Sequence, residues 1–279
     1  MALSIQSNMA SKAIQNQLGR TNNDLSVALE RLGSGFRINS AKDDAAGLQI
    51  ANRLNAQVRG QEAAIYNANN ANSMLQTAEG AFEEMTNIAY RMKELATQGA
   101  NGTNNTSEYT ALSSEFDALS SELDNIMSNT SYGSGTTLLD AAGKFGAGAV
   151  TFQIGSTAAE TLDVDVSTEL GAITTTLGAI TGLTDQTDSS TTMAEIDTLI
   201  DNIGAARANL GASMNRLDHT INNLTNMTEN TQASASQLMD ADFAKETSSM
   251  TKQQLLMNSG ISVLSASNST TQMIGSLLR

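Results

Sequence analysis

The chain has 279 residues, 4% of them aromatic, with no Trp, Pro or Cys and a formal net charge of −14. That length can bury a real core, while the absence of Cys excludes disulfides and thiolate metal sites and the absence of Pro removes the strongest helix breaker. Residues 101–200 carry one basic and fourteen acidic side chains, against nine of each in 1–100 and five and six in 201–279, so the ends are near neutral, the middle is acidic, and no basic patch exists to bind nucleic acid.

In chain order, Met1-Ala2-Leu3-Ser4-Ile5-Gln6 lacks the basic start and apolar run of a secretory signal. No stretch approaches eighteen apolar residues, so membrane insertion is not expected. An extracellular role would require export without a cleaved signal. Ile14, Leu18, Thr21, Leu25, Ala28 and Leu32 alternate spacings of four and three, a heptad seam. Gly33-Ser34-Gly35 ends it in a turn. Asn39-Ser40 then reads as a helix cap, with Asp43 and Asp44 in the first turn, where carboxylates complement the helix dipole. From there to about Gln98 the pattern is helical, with Ala78, Phe82, Met85, Ala89, Met92 and Ala96 on one seam. A helix of that length spans roughly 80 Å at about 1.5 Å per residue.

Gly99 to Ser107 reads as a loop, and Tyr109, Leu112, Phe116, Leu119, Leu123 and Ile126 as a third helix in heptad register. Between about 132 and 170, Val150-Thr151-Phe152-Gln153-Ile154 and Leu162-Asp163-Val164-Asp165-Val166 alternate apolar with polar, which predicts a β-hairpin. The Thr- and Ser-rich stretch 171–192 reads as loop, ragged helix or exposed decoration. The next helix resumes near Met193, with Ile196, Ile200, Ile203, Leu210, Met214, Leu217, Ile221 and Leu224 on a seam interrupted by Arg207. After Asp240-Ala241-Asp242 a last helix repeats every seven residues at Phe243, Met250, Met257 and Leu264. The fold class is therefore mainly α: long antiparallel coiled-coil helices from both termini, each burying its stripe on the other, with a small β-hairpin region in the middle.

Catalytic constellations are hard to build from these residues. One His and no Cys rule out most nucleophile–base and metal sets. His219 falls between Leu217 and Ile221 on a helix, a surface or seam position. Asp43-Asp44 could ligate a metal, but capping is the simpler role. Gly143, Gly146 and Gly148 lack the strand before and the Lys-Ser/Thr after that a phosphate loop needs. No enzyme activity, metal or cofactor is expected. The twelve Ser and nineteen Thr of 101–200 are candidate O-glycosylation sites if the chain is extracellular.

Glu30-Arg31-Leu32-Gly33-Ser34-Gly35-Phe36-Arg37-Ile38-Asn39-Ser40-Ala41-Lys42-Asp43-Asp44-Ala45-Ala46-Gly47 closely resembles the N-terminal signature of bacterial flagellins. The resemblance continues through Ile50-Ala51-Asn52-Arg53, Arg91-Met92-Lys93-Glu94-Leu95-Ala96-Thr97-Gln98 and Asp240-Ala241-Asp242-Phe243-Ala244-Lys245-Glu246 to Ser276-Leu277-Leu278-Arg279, covering roughly 1–135 and 195–279. The related hook–filament junction protein typically has Pro after the paired Asp, where this chain has Ala45.

The resemblance implies an inner coiled coil of 1–38 and 242–279 lining a central channel. It also implies an outer-tube spoke, 39–241, of long helices and a β-hairpin, in a short form without large outer domains. Inner-tube packing would then fall to Leu18, Leu25, Leu32, Phe243, Met250, Met257, Leu264, Leu277 and Leu278. Implied partners are further copies of the chain in a helical homopolymer, an export chaperone on the C-terminal helix, the filament cap and hook–filament junction proteins. Type III export to the extracellular flagellum is implied as well. Host innate-immune receptors would read Arg91, Leu95 and Glu115 on the spoke, and intracellular sensors Leu277 and Leu278. The rival reading from another class is a secreted helical adhesin.

Overall fold

The computed structural model describes residues 8–277 apart from 134 and 181. In chain order the elements are α1 (Met9–Ser34), α2 (Ala45–Gly99), α3 (Thr106–Asn129), β1 (Ser131–Tyr132), β2 (Thr136–Thr137), β3 (Val150–Gln153), β4 (Thr161–Val164), α4 (Ser167–Ala179), α5 (Gln186–Met239) and α6 (Phe243–Leu277). The chain divides into two compact units: a terminal unit of the residues up to Ala56 with those from Asn230 onward, and a central unit, Gln57–Glu229.

In the terminal unit α1 packs on α6. Local chemistry fixes where both begin and end. The Asn8 side chain caps α1 by accepting from the Ser11 amide at 3.0 Å, and Gly35, left-handed at φ 76, closes it by donating its N–H to the Arg31 carbonyl. Asp242 caps α6, its Oδ1 accepting from the amides of Ala244 and Lys245 at 2.9 and 3.1 Å. A short clasp joins the breaks between helices: Phe36 and Asp240 form an antiparallel bridge, Ala241 N–H donates to Gly35 O, and Arg37 N–H donates to Met239 O.

The start of α2 differs from the sequence reading. Asn39-Ser40 is not its cap; residues 41–43 form a turn and the helix begins at Ala45. Asp44 is the residue that caps it, its carboxylate accepting from the Gly47 amide at 2.9 Å. Asp43 closes the preceding turn through the amides of Asn39 and Ser40 and the Ser40 hydroxyl. The Ser40 amide and hydroxyl hold the Asp43 carboxyl below its ordinary range. Each carboxylate satisfies an amide that a shorter or apolar side chain would leave bare.

In the central unit α2 and α5 run antiparallel, tied by Asn72 to Asp218 (3.1 Å), Arg207 to Glu79 (2.8 Å) and Lys93 to Asp197. Arg207, which interrupts the α5 seam, is thus paired rather than stranded. The seams bury as their spacing requires: Ala78, Phe82, Met85, Ala89, Met92 and Ala96 of α2 meet Ile196, Ile203, Leu210 and Leu217 of α5 in one core. Phe116 and Leu123 of α3 add to it. β3 and β4 pair antiparallel, Val150 with Val164 and Phe152 with Leu162, so Leu162 and Val164 face the core. A second short pair, β1 with β2, precedes a turn-rich stretch that buries Leu138, Leu139 and Phe145.

Residues 171–192, for which the sequence leaves loop, ragged helix and exposed decoration all open, are largely helix, with many of their side chains exposed. They hold most of α4 and the first turns of α5, which starts at Gln186 rather than near Met193. Leu170, Ile173 and Leu177 form a buried stripe on α4. Asp185 caps α5 through the Thr187 and Asp188 amides at 2.7 and 2.9 Å.

α3 opens with a complete capping box, Asn105 Oδ1 accepting from the Glu108 amide while the Glu108 carboxylate accepts from the Asn105 amide. Substituting Asn105→Ala removes the acceptor of the Ser107 and Glu108 amides and leaves only the bond from the backbone amide of position 105 to the Glu108 carboxylate. It is expected to destabilise the chain by about 1 kcal/mol, read as a lower urea midpoint with an unchanged slope. An unchanged midpoint would show the box to be idle.

Candidate assembly surface

Among the described residues, no group of three His, Cys, Asp or Glu side chains is placed to hold a metal ion, and no helix is long and apolar enough to cross a membrane. His219 is exposed on α5. Gly143 and Gly146 lie in a tight turn where an added Cβ at 146 would meet the Asp140 carbonyl oxygen at 2.0 Å, so a backbone contact, not a phosphate, accounts for the glycine.

What the terminal unit offers is a helix pair with too little between its members. The α1 seam points inward along its length: Ser11, Thr21 and Ala28 are buried, and Ile14, Leu18, Leu25 and Leu32 are half-buried. On α6 the matching row is Glu246, Met250, Gln253, Met257, Gly260 and Leu264, of which only Glu246 is fully buried. No large apolar side chain of either helix is fully buried among the described residues, whereas the central unit seals Phe82, Phe116, Phe145, Met85 and Met92 below 2% exposure. Phe243, which shares the seven-residue period, stands 72% exposed. The side chain of Leu277 and the whole of Leu278 lie outside the described residues.

The outer faces of the two helices differ: that of α1 is mostly polar, whereas that of α6 interleaves polar residues with several large apolar ones. Leu255, Leu256, Ile261 and Val263 on α6 and Met9 and Leu29 on α1 are all exposed. With Phe243 they place large apolar side chains in water chiefly on α6, where Leu255 and Leu256 line a shallow groove with Ala244, Thr247, Thr251 and Ser259. Glu246 pairs with Arg31 at 3.3 Å across the α1–α6 seam. Nothing in the apolar periodicity signals that pair; the available clue was an ionisable residue one helical turn before Met250 on the inward face.

On the central unit Arg91 bridges two carboxylates: its Nε and Nη2 donate to Glu115 at 2.9 and 2.7 Å, and its Nη1 to Glu94 at 2.6 Å. These partners raise the guanidinium pKa further, the hydrogen bond to Glu115 contributing most. Arg91 and Glu115 are exposed and tie α2 to α3, but Leu95 is 1% exposed, in the core beneath them. The three residues therefore sit together, with only the ion pair at the surface.

The model of the bacterial flagellin N-terminal helical region matches residues 5–144, and that of the bacterial flagellin C-terminal helical region matches 193–278. The chain is 45% identical over 166 residues to the B-type flagellin of Pseudomonas aeruginosa, covering 60% of this chain and 33% of that protein. It is 46% identical over 162 residues to flagellin A of Vibrio cholerae, covering 58% and 41%. It thus spans about a third to two-fifths of the length of these curated relatives.

Among solved structures, Bacillus cereus flagellin matches with a TM-score of 0.50 at 33% identity, over 57% of this chain and 88% of that one. A structure described as a flagellar hook-associated protein of Vibrio parahaemolyticus matches with a TM-score of 0.57 at 14% identity, over 71% and 100%, a likeness of fold alone. The two helical regions, matched at both ends of the chain and in the right order, place this chain in the bacterial flagellin family.

Proposed function

We propose that this chain is a structural subunit that polymerises with its own copies into the flagellar filament and serves swimming motility. The observation that carries this reading is the terminal helix pair, whose α6 leaves Phe243, Leu255, Leu256, Ile261 and Val263 uncovered while the seam between the two helices buries little. Helices that cannot bury their stripes are marginal alone, and packing against neighbouring copies supplies the difference. The near-neutral ends favour such packing, and the acidic middle keeps the rest of the subunit solvated.

On this reading 1–38 and 242–279 form the inner tube and 39–241 the outer spoke. The subunit reaches the extracellular flagellum by type III export, and its transient partners are an export chaperone, the filament cap and hook–filament junction proteins. Recognition by host innate-immune receptors would use the exposed Arg91–Glu115 pair, with buried Leu95 holding α2 in place beneath it.

Seeding the purified chain with filament fragments and imaging by electron microscopy tests the proposal. Helical filaments with a central channel are expected; persistent monomers or closed rings, with intact seeds, would refute it. Amide exchange is a second measure. In the dispersed chain Leu18 and Met257 should exchange far faster than Leu75 and Leu210, and slow strongly on assembly. Equal protection in both states would remove the coupling between terminal order and polymerisation.

A further inference from the structure

The seam between α1 and α6 poses a problem its large side chains cannot solve. Leu18, Leu25 and Leu32 repeat every seven residues, as do Met250, Met257 and Leu264. Sliding one helix by a heptad, about 10 Å, therefore lays the same kinds of side chain against each other. The buried α1 residues Ser11, Thr21 and Ala28 are small and discriminate little. Register has to come from elsewhere.

Besides the backbone clasp at Phe36 and Asp240, two side-chain features break the degeneracy. Leu18 lies over Gly260, where an added Cβ would come within 2.6 Å of Leu18 Cδ2 and 3.2 Å of Cγ, so the glycine leaves a socket for that leucine. Nearer the clasp, the buried carboxylate of Glu246 meets the Arg31 guanidinium at 3.3 Å. At the far end Ser11 Oγ donates to Asn268 Oδ1 at 3.1 Å, consistent with the same antiparallel register.

A slip in one direction seats Leu25 in the Gly260 socket but carries Arg31 a heptad away, towards Gln253. A slip in the other sets Leu18 against Gln253 and brings Glu246 opposite Leu25 and Asp24. Each shift separates a buried carboxylate from its cation, and the second also sets two carboxylates together. Glu246 is the buried member and Arg31 is partly exposed, so the cost falls on the carboxylate, which, left without its cation, loses far more than the pair's net contribution.

We infer that the Arg31–Glu246 pair, assisted by the Leu18–Gly260 socket, sets the register in which the two terminal helices of the subunit pair. The inference rests on the assembly reading for its biological purpose, but the register can be read without it. Because the natural chain has no Cys, two introduced thiols report register directly. S11C/N268C cross-links in the observed register; S11C/I261C and T21C/L264C report shifts of seven residues in the two directions and leave Leu18, Gly260, Arg31 and Glu246 in place.

Each reporter is placed in the full chain carrying Arg31→Glu, Glu246→Arg or both substitutions. After mild oxidation of the dispersed and seeded protein, disulfides are mapped by mass spectrometry. In the unsubstituted background the S11C/N268C product is expected to dominate. Either single substitution should reduce it to a minor product, and R31E/E246R should restore it. An undiminished S11C/N268C product in the single variants overturns the inference, as does a double variant that recovers nothing. A reporter chain that cross-links in the observed register yet never forms filaments would instead count against the assembly reading and leave the register assignment standing.

Discussion

Removal of residues 1–38, or of 242–279, is expected to leave soluble chains that form no filaments on seeding while the central unit stays helical. α1 and α6 each supply one side of the terminal seam. Losing one strands the half-buried Leu, Ile and Met side chains of the other in water, and each forfeits a share of the roughly 1.5–3 kcal/mol that full burial contributes. Repeated in every subunit of a polymer, that loss exceeds what the remaining contacts supply. The central unit has its own core of Phe82, Phe116, Phe145 and the α2 and α5 seams, so circular dichroism should retain a strong helical signal. Filaments grown from either truncated chain would refute the proposed role of the termini, and collapse of the helical signal would refute the independence of the central core.

Replacing Phe116 with Ala is expected to cost about 3–5 kcal/mol, the range for emptying a buried aromatic site. The ring is 1% exposed, in the same core as Phe82, Leu123 and Phe145, and a rigid core of long helices cannot collapse fully around the void. Since a domain's whole stability is about 5–15 kcal/mol, the urea midpoint should fall steeply. Tyr66→Ala is the matched control: that ring is 68% exposed, and a change there should shift dispersed-chain stability by no more than about 0.5 kcal/mol. Similar losses at both positions would mean that burial does not govern this fold's stability.

Much of this architecture was legible in the sequence because heptad spacing reports directly which face of a helix is inward. Ile14, Leu18, Thr21, Leu25, Ala28 and Leu32 all turn towards the seam, the α2 residues from Ala78 to Ala96 named on that spacing are all buried, and the alternation at 150–154 and 162–166 becomes β3 and β4. The resemblance to flagellins added the family, which periodicity alone could not supply.

α4 was not resolved as a helix for a physical reason. Its apolar stripe of Leu170, Ile173 and Leu177 is diluted by Gly171, Gly178 and three consecutive Thr, all of low helix propensity. Thr174, Thr175 and Thr176 turn their hydroxyls onto carbonyls four residues back, and packing on the core outweighs the propensity cost. The start of α2 was misplaced because Asn, Ser and Asp all cap helices, and only tertiary geometry decides that Asp44 does so here. The pairing of Glu246 with Arg31, and of Leu18 with Gly260, depends on the partner helix and cannot be read from either helix alone.

The hydroxyl geometry seen in α4 recurs along the other helices. Thr77, Thr97, Thr110, Ser121, Thr198, Thr220 and Thr225 each donate to the carbonyl four residues earlier. A hydroxyl proton held by its own helix does not depend on water. When such a surface is dehydrated, no donor is left bare, and the penalty that normally follows from covering a polar side chain is largely avoided. Helix flanks that look hydrophilic by composition can therefore tolerate dry contact in several lateral alignments, without requiring a matching acceptor on whatever covers them.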